Sequence, residues 1–133
     1  MLTVGLTREN TRPVTEEDSA ARISPLVPPV FASARMIGFA EAVCAELMAE
    51  HLAEGETSVG IGFQFTHEAA TPIGMKVTMR VRLVACEGRK HVFEIEGRDE
   101  VDRICTGRHE RAVIQKAKLL AKLEEKARKI AKP

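Results

Sequence analysis

The sequence predicts an α+β domain in which an antiparallel sheet wraps around one long central helix, followed by a C-terminal helix. Three observations carry this. One stretch in the first half has the apolar spacing of a helix, and four later stretches alternate with a period of two across short connections. The last stretch is amphipathic at helical period and rich in lysine. A length of 133 residues, with 44% hydrophobic and 29% charged residues, suits a single folded domain over 1–133.

Residues Leu2 to Leu6 are expected to form a short strand. Thr7 to Pro29 is polar and carries Pro13, Pro25, Pro28 and Pro29, so an irregular segment is expected, with a helical turn after Thr15. Thr15 followed three residues later by Asp18 has the form of a capping box. Ser33 to about Leu52 is the main helix, with Ser33 as its N-cap and Gly55 beyond its end. Met36, Ala40, Val43, Cys44, Leu47 and Met48 share one face, and Glu41 lies at the edge of that apolar stripe.

The period then changes. Val59, Ile61, Phe63, Phe65, His67 and Ala69 alternate with Gly60, Gly62, Gln64, Thr66 and Glu68, which predicts a half-buried strand with His67 on its apolar face. Thr71-Pro72-Ile73-Gly74 reads as a type I turn. Met75 to Ala85 is a second alternating strand, His91 to Glu96 a third, and Ile104 to Ile114 a fourth with weaker alternation. Short links favour antiparallel neighbours. From Gln115 to Lys132, Leu119, Leu120, Leu123, Ala127 and Ile130 lie at helical spacing opposite a lysine-rich face, as expected of a solvated amphipathic helix. A single helix covers only one face of such a sheet, so the arrangement is that of a hotdog fold, which commonly pairs with itself.

Composition narrows the function. Twenty Lys+Arg balance nineteen Asp+Glu, and there is no Trp or Tyr, so nucleic acid is not an expected partner, and a basic-tail nucleic-acid or partner-binding protein is the weaker reading. No apolar run is long enough to span a membrane, and no signal-peptide pattern opens the chain. Cys44, Cys86 and Cys105 lack the spacing of a disulfide framework or a metal site, which fits a reducing cytoplasm.

Three segments resemble the fluoroacetyl-CoA thioesterase group of hotdog proteins: Val30-Phe31-Ala32-Ser33 with Glu41 eight residues on, Thr66-His67-Glu68-Ala69-Ala70-Thr71-Pro72, and His109-Glu110-Arg111-Ala112-Val113-Ile114. The resemblance covers about Val30 to Ile114. It implies an acyl-CoA thioesterase that releases free acid and CoA, with Ser33, Glu41 and His67 as the catalytic set. Gly60 matches a glycine whose backbone N–H meets the thioester, and Arg111 a site-supporting arginine. No cofactor or metal is implied, since CoA is part of the substrate. A homodimer with sites near its interface is implied; a higher oligomer is the other expected state.

Fluoroacetate-specific members carry an aromatic lid before the helix. Here that stretch, Ser24 to Pro29, has no aromatic, and Ser stands at position 33 in place of Thr. The chemistry leaves Glu41 as general base or nucleophile, and Ser33 as an orienting group or a nucleophile activated by His67. Arg80, Arg82, Arg89 and Lys90 are candidate partners for the phosphates of CoA. A hotdog module that binds acyl-CoA without turnover is the alternative reading.

Overall fold

The computed structural model describes residues 1–131. Its elements run β1 (Thr7–Pro13), a 3-10 turn (Glu16–Asp18), α1 (Ala20–Ile23), α2 (Ser33–Ala49), β2 (Glu56–His67), β3 (Lys76–Glu87), β4 (Lys90–Arg98), β5 (Arg103–Gln115) and α3 (Lys116–Ala131). The five strands form one antiparallel sheet in the order β1-β3-β4-β5-β2. The hotdog arrangement is therefore present, with α2 lying in the concave face.

The core forms where the two periods meet. Met36, Phe39, Ala40, Val43, Cys44, Leu47 and Met48 of α2 are buried against Val77, Met79, Val81 and Leu83 of β3, Phe93 and Ile95 of β4, and Ile104 and Cys105 of β5. Apart from Phe39 and the adjacent pair Ile104 and Cys105, these are the positions that the spacings assign to apolar faces. The turn after Thr15 also forms, and Asp18 reaches back to accept the Thr15 backbone N–H at 2.8 Å.

Five local expectations are corrected. The first strand is Thr7–Pro13, inside the segment expected to be irregular, and not Leu2 to Leu6. Its sequence hides it because β1 is a sheet edge whose half-buried residues include Arg8 and Arg12. These long side chains lie along the apolar surface and end on carboxylates: Arg8 on Glu46 and Glu50, Arg12 on Asp18. Secondly, the N-cap of α2 is Ala32, with Ser33 the first helical residue.

Thirdly, β2 pairs with β5 and not with its sequence neighbour β3, because Glu68 to Met75 carries the chain across to the far side of the sheet. Fourthly, β2 does not keep one parity. A bulge between Gly60 and Gly62 inserts Ile61 as an extra residue, so Gly60 before it and Phe63 after it both lie against the inward-facing His109. Finally, the turn before β3 runs Pro72 to Met75, closed by Met75 N–H to the Pro72 carbonyl at 3.4 Å. Gly74 has φ +97°, the left-handed position that type II requires, where type I was expected.

Candidate active site

The first cluster sits at the start of α2. Phe31 and Ala32 are buried and fix the entry of the chain into the helix, with Phe31 N–H donating to the Thr71 carbonyl at 2.8 Å. That leaves Ser33 at the first helical turn, facing outward. Because Ala32 takes the cap position, the Ser33 hydroxyl is free of capping duty. It lies 2.7 Å from His67 Nδ1, at the end of β2. Both side chains are exposed, at the wall of a cavity of about 420 Å³ that Val27, Val30, Ala69 and Ala70 also line. A hydroxyl paired with an imidazole can polarise a carbonyl, pass a proton or be activated for attack.

The second cluster lies deeper and further along α2. Eight residues separate Ser33 from Glu41, about 12 Å of axial rise. Glu41 Oε2 accepts from Arg111 Nη1 at 3.2 Å, and the Glu41 side chain keeps 39% of its surface open. Arg111 is buried, and it also donates to Ser58 Oγ at 3.0 Å and to the Ser58 carbonyl at 2.9 Å. Its Nη1 lies 3.1 Å from His109 Nε2. Glu41 presses against the bare backbone of Gly60, where a Cβ would lie only 2.5 Å from Oε2. The sequence-predicted residues thus fall into two groups, Ser33 with His67, and Glu41 with Gly60 and Arg111. Among the described residues no hydrogen bond joins the two groups.

Electrostatics separate the chemically available groups from the inert ones. Cys44 lies near Arg111 and Glu41, but burial pushes its thiol up to about 12, so it stays protonated and is no nucleophile. Burial holds His109 below the ordinary histidine range, and the Arg111 charge acts the same way. All three cysteines are free. Among the described residues no group of three or more His, Cys, Asp or Glu side chains could hold a metal ion, and no helix is long and apolar enough to cross a membrane.

Of the candidate phosphate partners, Lys90 is 3.3 Å from Glu110. Arg80 and Arg82 line a shallow depression on the outer face of the sheet with Glu94 and Glu96. Arg89 lies beside Lys118 and Lys122 at the start of α3. A larger cleft of about 770 Å³, between β1 and the exposed side of α2, contains none of the candidate residues. Sequence reasoning missed His109 as a member of the Glu41 cluster. Its signal was the i, i+2 spacing of His109 and Arg111, which places both on one face of a strand.

Comparison with known proteins agrees with this architecture. Residues 14–117 match the family model of the fluoroacetyl-CoA-specific thioesterase. A fluoroacetyl-CoA thioesterase of Streptantibioticus cattleyicolor is 43% identical over 99 residues, 74% of this chain and 71% of the relative. A solved structure of a fluoroacetyl-CoA thioesterase aligns with TM-score 0.90 at 36% identity, covering 95% of this chain and 98% of that one. A Thermus thermophilus protein described as a thioesterase superfamily member aligns with TM-score 0.90 at 28% identity, covering 98% and 97%.

Proposed function

This chain belongs to the fluoroacetyl-CoA-specific thioesterase family, and on that premise we propose that it hydrolyses a small acyl-CoA to free acid and CoA. It is a thioester hydrolase. The supporting observation is the 2.7 Å contact between Ser33 Oγ and His67 Nδ1, two residues far apart in sequence, at the wall of a small apolar-sided cavity.

In the proposed reaction the Glu41 carboxylate takes a proton from water as its oxygen attacks the thioester carbon. Arg111 holds one carboxylate oxygen, leaving the other to meet the water. The Ser33–His67 pair and the Gly60 N–H stabilise the oxyanion. Collapse of the tetrahedral intermediate expels the CoA thiolate. Its conjugate thiol has a pKa of roughly 8.5, so departure requires little protonation. The acyl group is small and not restricted to fluoroacetyl. Ser24 to Pro29 supplies no aromatic side chain, and its Leu26 is 92% exposed.

The axial distance between Glu41 and Ser33 favours a site shared between two copies. β2 is an edge strand that exposes Ile61 and Phe63. Two copies pairing antiparallel through β2, centred between Phe63 and Gln64, set the His67 end of one strand beside Gly60 of the other, where the partner subunit's Glu41 is held. We place one thioester between them, in a homodimer.

Mixing two inactive variants tests this. Glu41→Ala and His67→Ala dimers, dissociated and reassociated together, should recover about a quarter of wild-type activity, since half of the dimers are mixed and each mixed dimer has one intact site. No recovery would place the whole set within one chain. Undiminished acyl-CoA turnover in both single variants would refute the catalytic assignment.

A further inference from the structure

We propose that His109 is a positioning residue for Glu41: a neutral imidazole carrying its proton on Nδ1, whose Nε2 lone pair fixes the Arg111 guanidinium that holds the carboxylate. This rests on Glu41 being the catalytic base. It adds a residue without contact to substrate and assigns its protonation state.

The tautomer follows from donors and acceptors. His109 is fully buried. Its Nδ1 lies 2.9 Å from the Gly62 carbonyl oxygen, which can only accept, so Nδ1 bears the hydrogen. Its Nε2 lies 3.1 Å from Arg111 Nη1, which can only donate, so Nε2 bears none. Both ring nitrogens are satisfied by a neutral imidazole and by one tautomer alone. An imidazolium would point an N–H at a guanidinium, inside the fold, with nothing to receive it.

The geometry links this ring to the site. Arg111 Nη1 has two hydrogens, one for His109 Nε2 and one for Glu41 Oε2. Nε and Nη2 are held by the Ser58 hydroxyl and carbonyl. The guanidinium is thus fixed from two directions, by β2 through Ser58 and by its own strand through His109. The Gly62 carbonyl that orients the ring sits at the β2 bulge, where the ladder is interrupted. Phe63 stacks on the ring at 4.4 Å between centroids and 23° between planes.

The charged and titratable neighbours agree with a neutral ring. From β5, Arg111 and Glu110 lie close, and from α2, Glu41, with the protonated Cys44 near the same carboxylate. β4 presents Phe93 as the register partner, and β2 contributes Gly60, Gly62 and Phe63 without charge. Burial outweighs the two carboxylates and keeps the ring unprotonated.

Two substitutions separate positioning from packing. His109→Phe keeps a ring of similar size but removes the acceptor. His109→Gln loses the ring but sets an amide oxygen near the Nε2 position, able to accept from Arg111. The expected kcat of His109→Phe is about 10- to 100-fold below wild type, with KM within about twofold. His109→Gln should return to within about threefold of wild-type kcat, as rescue by the retained acceptor.

Wild-type kcat in folded His109→Phe would overturn the proposal, as would a folded His109→Gln no faster than His109→Phe. Should either variant fail to fold, long-range 1H–15N correlation spectra of the wild-type protein decide: Nδ1–H supports the assignment, and Nε2–H or an imidazolium at neutral pH overturns it. Glu41→Gln distinguishes the two levels. Slow Glu41→Gln with fast His109→Phe removes the positioning role alone, whereas wild-type turnover in Glu41→Gln removes the base assignment on which it rests.

Discussion

A Cβ at Gly60 would sit 2.5 Å from Glu41 Oε2, 3.0 Å from Phe63 Cζ and 3.1 Å from His109 Cε1. No real side chain tolerates the first of these, so Gly60→Ala must push the carboxylate away from the strand. The expected outcome is a folded protein whose kcat falls about 100-fold, checked by thiol release from acyl-CoA beside a thermal melt. The cysteines give a second residue-scale test. Cys44 and Cys105 are buried, with thiols pushed up to about 12 and about 11, while Cys86 is exposed. Titration with a thiol reagent should find one fast-reacting group in the native protein and three in denaturant. Glu41 could be placed at the edge of an apolar stripe from helical periodicity. Its anchor could not, because Arg111 lies seventy positions away and reaches it only across the sheet.

At the scale of elements, β1 is held by ion pairs as well as by its ladder with β3. Asp18 is fully buried and accepts from Arg12 at 2.9 Å and from Arg35 at 3.0 Å, tying β1 and the first turn of α2 to the segment between them. Arg12 also lies 4.6 Å from the centre of the Phe39 ring. Burial alone would raise the Asp18 pKa. The Arg12 guanidinium, the Thr15 N–H and Arg35 outweigh it and hold the carboxyl well below the usual carboxylate range.

A depressed folded pKa means that this stabilisation is complete above the ordinary value of 3.8 and is lost as the pH falls below it. Asp18→Asn should therefore cost about 2–3 kcal/mol at pH 7, a buried-pair loss reduced by the partial exposure of both arginines. The melting-temperature gap between variant and wild type should narrow from pH 5 to about pH 3. A constant gap would show that the junction is held by packing. The capping box made the turn at Thr15 legible. The strand before it was not, since TRENTRP shows no apolar alternation, and its pairing is decided by β3.

For the whole molecule, the open edge of β2 is the feature with the largest consequence. Ile61, the bulged residue, is 53% exposed and Phe63 is 50% exposed on a strand with one free side. A charge there opposes strand pairing between copies. For the homodimer proposed above, Ile61→Asp is expected to shift the sedimentation behaviour toward monomer and to lower turnover together, with far-ultraviolet circular dichroism unchanged. A monomer with full activity would show that each chain holds a complete site.

Period and capping chemistry, which are properties of neighbours along the chain, were enough to write down the long helix, the β3–β4–β5 meander, the terminal helix and an α+β layering. The motif segments were enough to list Ser33, Glu41, His67, Gly60 and Arg111 as a candidate set. Which of them touch was settled by long-range packing. The bulge at Ile61 shifted the parity of β2, the crossover put β2 beside β5, and Ala32 took the cap that Ser33 was expected to occupy. Each outcome depends on contacts between residues distant in sequence, whose free energies exceed the local preferences they override.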